Sequence, residues 1–176
     1  MQKPFLDDKF QIAWSELKPE NIVSDITEAI ETAQNQVDLI SQPCPAGDEL
    51  TFENTLIALE SAYESLSRPW GLVSHLDSVS NSDPLREAYN AMLPKVSEFY
   101  SKVPLNSGLW NRIKAYSETE EAKSLSGTRL RFLEETLSDF QNSGADLPSE
   151  DKSRLMQIES ELAQKTQKYS ENDLDS

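Results

Sequence analysis

The sequence contains a single histidine, His75, and a single cysteine, Cys44. An H-E-x-x-H zinc helix needs two histidines, and a di-iron bundle needs two Glu-x-x-His pairs, so this chain can build neither. One cysteine and one histidine are also too few ligands for a structural zinc, and one cysteine cannot form an intramolecular disulfide. We therefore expect no catalytic and no metal-binding residue in this chain, and a reducing, cytoplasmic setting.

Long apolar runs and an excess of basic residues are also missing. No apolar run approaches the roughly 20 residues that span a bilayer, and residues 1–8 include acids where a signal peptide would be apolar. The 16 basic residues face 31 acidic ones, which gives a net charge of −15. Because this charge repels phosphate backbones and anionic lipids, the sequence predicts a cytoplasmic protein that binds neither nucleic acid nor membranes.

Helical periodicity is what the sequence does have. Only five glycines occur in 176 residues, and between them apolar residues recur every three or four positions. The 37% hydrophobic content is enough to fill the core of about one domain. We predict an all-α fold, a bundle of about six helices in one domain spanning residues 1–176, and no period of 30 to 45 residues that would indicate a repeat array.

Prolines mark the first three predicted helices. The first begins at Pro19 and ends near Ser41, and a loop follows over residues 42–48. The second continues through a bend at Pro69. The third begins at Asp83 and Pro84 and is interrupted by a bend near Asn90, because Pro94 removes a backbone donor. The apolar stripes of these helices are Ile22, Ile26, Ile30, Ala33, Val37 and Ile40; Phe52, Leu56, Leu59, Tyr63, Leu66, Trp70, Val73 and Leu76; and Leu85, Tyr89, Met92, Val96, Phe99 and Val103.

The remaining helices are predicted from capping residues. Ser107 caps a short helix, and Ser117 with Glu120 fits the capping box of the next helix, which residues 142–144 end. Pro148 begins the last helix. The stripes here are Leu109, Trp110 and Ile113; Leu130, Leu133, Leu137 and Phe140; and Leu155, Ile158, Leu162 and Tyr169.

Three pairs of residues are candidates for chemistry, and each has a simpler structural interpretation. Cys44 and His75 could form a thiolate–imidazole pair, but a loop thiol and a partly buried helix histidine are favoured. Glu60 and Glu64 could chelate a cation or act as an acid and a base, but the adjacent apolar stripe places them on a solvated face. Trp70 and His75 could line a cleft at the predicted bend, although core packing is favoured for a large aromatic ring.

Two stretches carry a resemblance to a known family. Residues 50–60, Leu-Thr-Phe-Glu-Asn-Thr-Leu-Ile-Ala-Leu-Glu, resemble the P-T-F-E-N-T-x-x-x-L-E signature of the oligopeptidase A family, with Leu50 where a proline is common. This family includes thimet oligopeptidase, neurolysin and dipeptidyl carboxypeptidase. Residues 73–100 are similar to its pattern almost throughout, and the resemblance covers about residues 5–175. The matching positions include His75, Asn81, Arg86, Tyr89, Pro94, Gly144, residues 137–140, 147–148 and 169–175.

The resemblance implies a zinc-dependent endopeptidase that cuts short peptides in the cytoplasm, with a mostly helical fold split by a deep channel. In the family, H-E-x-x-H and a downstream glutamate in the C-terminal half hold the zinc, and the metal-bound water attacks the peptide. His75 matches the V-S-H-L stretch instead, so no catalytic or metal residue is carried over to this chain. The implied role is one wall of the channel, with zinc and short peptides bound by the parent enzyme and substrate-contacting residues unknown.

The last predicted helix leads to an expectation about partners. It has no stop signal before the acidic residues 171–176, so we expect a piece of a longer protein whose C-terminal catalytic domain is the partner. The apolar stripe of this helix needs a cover, so we expect the isolated segment to expose it and to self-associate. The alternative is a stand-alone acidic helical interaction module that holds a partner helix. The reading frame beyond Ser176 would distinguish the two.

Overall fold

The computed structural model describes residues 3–45, 49–80 and 82–174, and for residues 160, 163, 164, 167, 168 and 170–174 it describes the backbone alone. Part of the predicted 42–48 loop, Asn81 and the side chains of the acidic residues 171–176 therefore lie outside the described residues. Seven α-helices and no strand occur in the described part, which confirms the all-α prediction. The helices are α1 Pro19–Ile40, α2 Ala58–Val79, α3 Asp83–Lys102, α4 Ser107–Ser117, α5 Glu120–Lys123, α6 Gly127–Asn142 and α7 Ser149–Leu174.

Helices α1 and α2 form an antiparallel hairpin against which α3 packs. The Ser65 hydroxyl donates to the Gln36 side chain at 3.0 Å, near the C-terminal end of α1 and in the first half of α2. At the loop end of the hairpin, Arg112 donates to the carbonyl oxygens of Gln42 and Asn54, so both ends of the connecting segment contact the same side chain. The predicted stripe of α1 faces this core, with every member buried except the half-buried Ile30.

The N-terminal segment packs onto the other end of the hairpin. Phe5 is buried, and its backbone N–H donates to the Asp25 carboxylate of α1 at 3.2 Å. The Ser24 hydroxyl donates to the same carboxylate at 3.0 Å, so the buried acid has two hydrogen bonds. Arg68 of α2 donates to the Lys9 carbonyl at 2.7 Å. Backbone and side-chain bonds therefore hold residues 3–17 against α1 and α2.

Two prolines lie inside helices that continue past them. Pro69 is a buried residue within α2, as predicted. Pro94 lies within α3, which continues past it from Asp83 to Lys102. A proline costs about 3 kcal/mol in a helix interior, but α3 buries apolar side chains on both sides of Pro94, among them Met92 and Val96. A bend at either proline stays a prediction.

Three predicted caps are displaced. Ser82, not Asp83, precedes α3 as its extended cap residue. Asn106, not Ser107, caps α4 by accepting a hydrogen bond from the Leu109 N–H at 3.0 Å. Thr119, not Ser117, caps the following turn by accepting from the Ala122 N–H at 3.1 Å. That turn is the separate helix α5, and the long helix predicted after Ser117 begins only at Gly127.

A tight turn joins α6 to α7. Gly144 has φ of +91°, a conformation that favours glycine, and the Ala145 N–H donates to the Phe140 carbonyl at 2.9 Å. The predicted end of α6 at residues 142–144 is therefore confirmed. The Lys152 N–H donates to the Pro148 carbonyl, so the first turn of α7 begins at the predicted proline.

Candidate functional site

Residues 51–55, the centre of the family-like stretch, build a helix start. The Thr51 N–H donates to the Asn54 side-chain oxygen at 3.0 Å, and the Asn54 N–H donates to the Thr51 hydroxyl at 3.1 Å. The Asn54 amide also donates to the Glu49 carbonyl at 2.9 Å. These reciprocal bonds satisfy backbone groups that a helix N-terminus leaves open, and a π-helical turn over Glu53–Ile57 leads into α2.

Phe52 fastens this helix start to the second half of the chain. Its ring lies edge-on to Tyr116 at 6.5 Å and to Phe132 at 6.0 Å, and the Arg129 guanidinium lies 4.9 Å from its centroid. The Phe52 N–H donates to the Glu121 carboxylate of α5 at 3.1 Å. Phe52, Leu56, Tyr116, Ala122 and Leu133 form a second core, separate from the one around α1 to α3.

Arg112 of α4 also binds this helix start. Its guanidinium donates to the carbonyl of Asn54 at 3.1 Å and to that residue's side-chain oxygen at 3.3 Å. Glu53 lies 3.6 Å from Arg129 in an exposed ion pair. Residues 52–54 therefore contact α4, α5 and α6, and the stretch 51–55 acts as a structural junction between the hairpin and these three helices.

The structure does not bring Cys44 and His75 together. His75 lies ten residues beyond Ser65 on α2, about 15 Å along the helix axis, whereas Cys44 lies beyond the opposite end of α1. His75 is exposed, contrary to the expected partial burial, and its ring lies 5.4 Å from that of Trp14. The hypothesis of a thiolate–imidazole pair between these two residues is therefore wrong.

The other two candidate pairs follow their structural interpretations. Glu60 and Glu64 are both exposed on α2, as expected for a solvated face. Trp70 packs against the main core and stacks on Tyr89, with ring centroids 4.9 Å apart and an interplanar angle of 14°. Because Trp70 and His75 have different aromatic partners, they do not form a shared cleft.

The titratable groups with shifted pKa values lie at packing contacts. Burial and the neighbouring Tyr100 raise the pKa of Tyr63 to about 12. The Trp110 indole N–H donates to Asp146 at 2.7 Å and lowers the pKa of that carboxyl, with help from Gln141 and Lys114. No group of three or more His, Cys, Asp or Glu residues that could hold a metal ion occurs among residues 3–45, 49–80 and 82–174.

An apolar strip on α7 is exposed. Ile158, Leu162 and Tyr169 have 47%, 62% and 72% of their surface exposed, and they recur at helical spacing. We call these three residues the α7 stripe. Leu155, the fourth predicted member, is half-buried because it packs near the Gly144 turn. The expectation that this helix presents an apolar face is therefore confirmed, whereas self-association stays a prediction.

A cavity of about 350 Å³ lies between α1, the α3–α4 turn and the first turns of α7. Lys152, only 8% exposed, lies at this cavity. Its ammonium donates to the Leu105 carbonyl at 3.3 Å and to the Ser107 hydroxyl at 3.1 Å. Sequence reasoning missed this residue, since nothing in the local pattern distinguishes it from an exposed helix lysine.

None of the helices in the described residues is long and apolar enough to cross a bilayer.

Comparison with known proteins gives a consistent result. The family model of the neurolysin/thimet oligopeptidase N-terminal domain matches residues 20–152. Oligopeptidase A of Haemophilus influenzae is 33% identical over 176 residues, and that of Escherichia coli is 31% identical over 176 residues, each covering 99% of this chain. Dipeptidyl carboxypeptidase of Salmonella typhimurium is 30% identical over 112 residues, 64% of this chain and 16% of its own length. The chain spans about a quarter of the length of the oligopeptidase A relatives.

Proposed function

Because the chain belongs to the neurolysin/thimet oligopeptidase N-terminal domain family, we propose that it is the non-catalytic N-terminal domain of a zinc-dependent oligopeptidase. In this role it forms one wall of the channel that admits short peptides. Another part of the same protein binds zinc and hydrolyses the peptides. The cytoplasm is the proposed setting, supported by the single cysteine.

The non-catalytic assignment is supported by what the characteristic residues do. The side chains of Thr51 and Asn54 bind each other's backbone at a helix start, and the Phe52 ring packs against Tyr116 of α4. The sole histidine contacts Trp14 on the surface, and a zinc site does not fit the donors of the described residues. A catalytic zinc requires three protein ligands, and we assign these ligands to another part of the parent protein.

The α7 stripe is the observation that carries the proposal of a further domain. Burying the exposed part of its three side chains would contribute about 3 to 5 kcal/mol, at roughly 1.5 to 3 kcal/mol for each fully exposed side chain. This is a large fraction of the stability of a typical domain. We therefore assign the α7 stripe to the contact with the catalytic part of the parent protein. A channel wall must be held rigidly to exclude folded substrates, and such a contact would fix its position.

The test is complementation between two separately expressed polypeptides, this chain and the remainder of the parent reading frame. Cleavage of a quenched fluorescent nonapeptide is measured, and zinc is counted by mass spectrometry. We expect no cleavage and no stoichiometric zinc for this chain alone, and cleavage at least tenfold faster for the mixture than for either polypeptide. One zinc bound per chain, or cleavage by this chain alone, would overturn the proposal.

A matched pair of variants tests the contact itself. Leu162→Lys places a charge in the α7 stripe, and Gln157→Lys places the same charge on a different side of the same helix. We expect the first variant to abolish complementation and the second to leave it unchanged. Equal effects would contradict the assigned contact. A reading frame that ends at Ser176 would instead favour the stand-alone interaction module.

A further inference from the structure

Lys152 is the most unusual charged group in the described part of the chain. It is nine-tenths buried, yet both hydrogen-bond acceptors of its ammonium are neutral oxygens, the Leu105 carbonyl and the Ser107 hydroxyl. A buried ammonium loses much of its hydration, and neutral acceptors compensate for that loss less well than a carboxylate does. Within residues 3–45, 49–80 and 82–174 this ammonium forms no ion pair, although the chain has 31 acidic residues.

Two carboxylates next to cavity-lining residues bind other side chains, and one of them is Asp38, which accepts from Gln34 at 2.8 Å. Lys102, which also lines the cavity, forms an ion pair with Glu98. Glu159 is on the same side of α7 as Lys152, but it lies seven residues further on, about 10 Å along the axis. Among the described residues, the ammonium of Lys152 therefore has two neutral acceptors and one further N–H to donate.

The cavity beside Lys152 has the size and lining of a small ligand site. Its volume of about 350 Å³ falls within the range of about 300 to 1,000 Å³ typical of ligand pockets. Ser107 accepts from Lys152, so its own hydroxyl proton can be donated to a ligand. Ser107 also begins α4, an eleven-residue helix whose dipole is positive at this end. Met156, half-buried one turn beyond Lys152 on α7, supplies apolar surface at the cavity, whereas Val37 and Val103 are buried in the core beside it.

We propose that this cavity binds a carboxylate carried on a short apolar group. Lys152 is its counter-ion, the Ser107 hydroxyl is its second donor, and Met156 contacts the attached apolar group. A bare inorganic anion fits less well, because it has no apolar group to place against Met156. The proposal does not depend on the peptidase assignment, since it concerns groups within this chain.

The test is a titration of the 176-residue chain followed by two-dimensional NMR of the backbone amides. The probe is N-acetyl-leucine, whose neutral analogue N-acetyl-leucinamide has nearly the same shape. We expect saturable shifts at Ser107 and Lys152 with N-acetyl-leucine, and binding at least tenfold weaker for the amide and for inorganic phosphate. Equal affinity for acid and amide would overturn the proposal.

Two variants check the role assigned to Lys152. Lys152→Met keeps the length of the side chain and removes the charge, and Lys165→Met makes the same change at an exposed position of α7. We expect the first to weaken binding at least tenfold and the second to leave it unchanged. If Lys152→Met binds the acid as well as the wild type does, the proposal is wrong. Because the acid-against-amide comparison uses the wild-type chain, the proposal stays testable even if this variant fails to fold.

The source of the carboxylate is distinguished by a third probe. N-acetyl-glutamate N-methylamide presents a side-chain carboxylate, whereas N-acetyl-leucine presents the α-carboxylate of a peptide end. Tighter binding of N-acetyl-leucine identifies the end of a peptide as the ligand. Tighter binding of the glutamate derivative identifies an acidic side chain. Both results support a carboxylate site, and failure of both probes contradicts it.

Discussion

Replacing Phe52 with alanine tests whether the family-like stretch is a structural junction. Phe52 is 3% exposed and contacts Tyr116, Phe132 and Arg129, so its truncation leaves a cavity in the second core. Loss of a buried phenylalanine side chain costs about 3 to 5 kcal/mol. For a chain of this size, that corresponds to a fall in melting temperature of about 6 to 20 °C, at about 2 to 4 °C per kcal/mol.

The assay is urea unfolding followed by circular dichroism, with Phe10→Ala as the matched control. Phe10 is fully exposed, so the same chemical change there should alter the free energy of unfolding by less than about 0.5 kcal/mol. Phe52→Leu keeps an apolar side chain and should cost less than about 1.5 kcal/mol. If Phe52→Ala costs less than about 1 kcal/mol more than Phe10→Ala, the junction does not stabilise the fold and the residue is free for another role.

Gly108→Ala should lower the free energy of unfolding, measured in urea, by about 1 to 3 kcal/mol, because the new Cβ would lie 2.5 Å from the Ser41 carbonyl oxygen. Gly71→Ala is the control: its new Cβ meets nothing within 4 Å, so this variant should be neutral or stabilising. Because the pKa of Asp146 is lowered in the folded chain, this carboxylate stabilises the fold above pH 3.8, and its contribution is lost as pH falls through its pKa in the folded state. Tryptophan fluorescence should therefore report an acid transition that Asp146→Asn removes. Because the pKa of Tyr63 is raised to about 12, its contribution to stability is complete below pH 10 and is lost as pH rises through about 12. In an absorbance titration at high pH, Tyr63→Phe should remove one tyrosine that ionises late.

Sequence periodicity predicted the helix faces because it reports burial directly. The α1 stripe faces the core along its whole length, and Pro19 marks its first residue as predicted. Caps were predicted less well, since neighbouring polar residues have similar capping ability and tertiary contacts decide between them. Asn106 caps α4 instead of Ser107 in a segment where Gly108 lies against the end of α1 and Ser107 contacts Lys152. Those contacts connect residues far apart in sequence.

The separation of α5 from α6 has the same kind of cause. The sequence predicts one helix from the Ser117 cap to residues 142–144, but the chain leaves the helix after Lys123, and Gly127 takes a φ of +58°. This break lets α5 deliver the Glu121 carboxylate to the Phe52 N–H and Ala122 to the second core. A sequence pattern contains no information on a contact that spans 69 residues. The burial of Asp25 and Lys152 was missed for the same reason, because their partners lie 20 and 45 or more residues away.

The α7 stripe and the net charge of the chain together indicate which kind of surface packs against the stripe. Burial of the exposed part of the stripe contributes about 3 to 5 kcal/mol, but association of two separate molecules costs about 4 to 15 kcal/mol in lost translational and rotational freedom. A second copy would also bring another net charge of −15, although salt screens that repulsion beyond about 8 Å. A surface connected through the same polypeptide avoids most of the association cost, because its effective concentration is high. The stripe is therefore better suited to a neighbouring domain of one protein than to a dimer held by these three side chains alone.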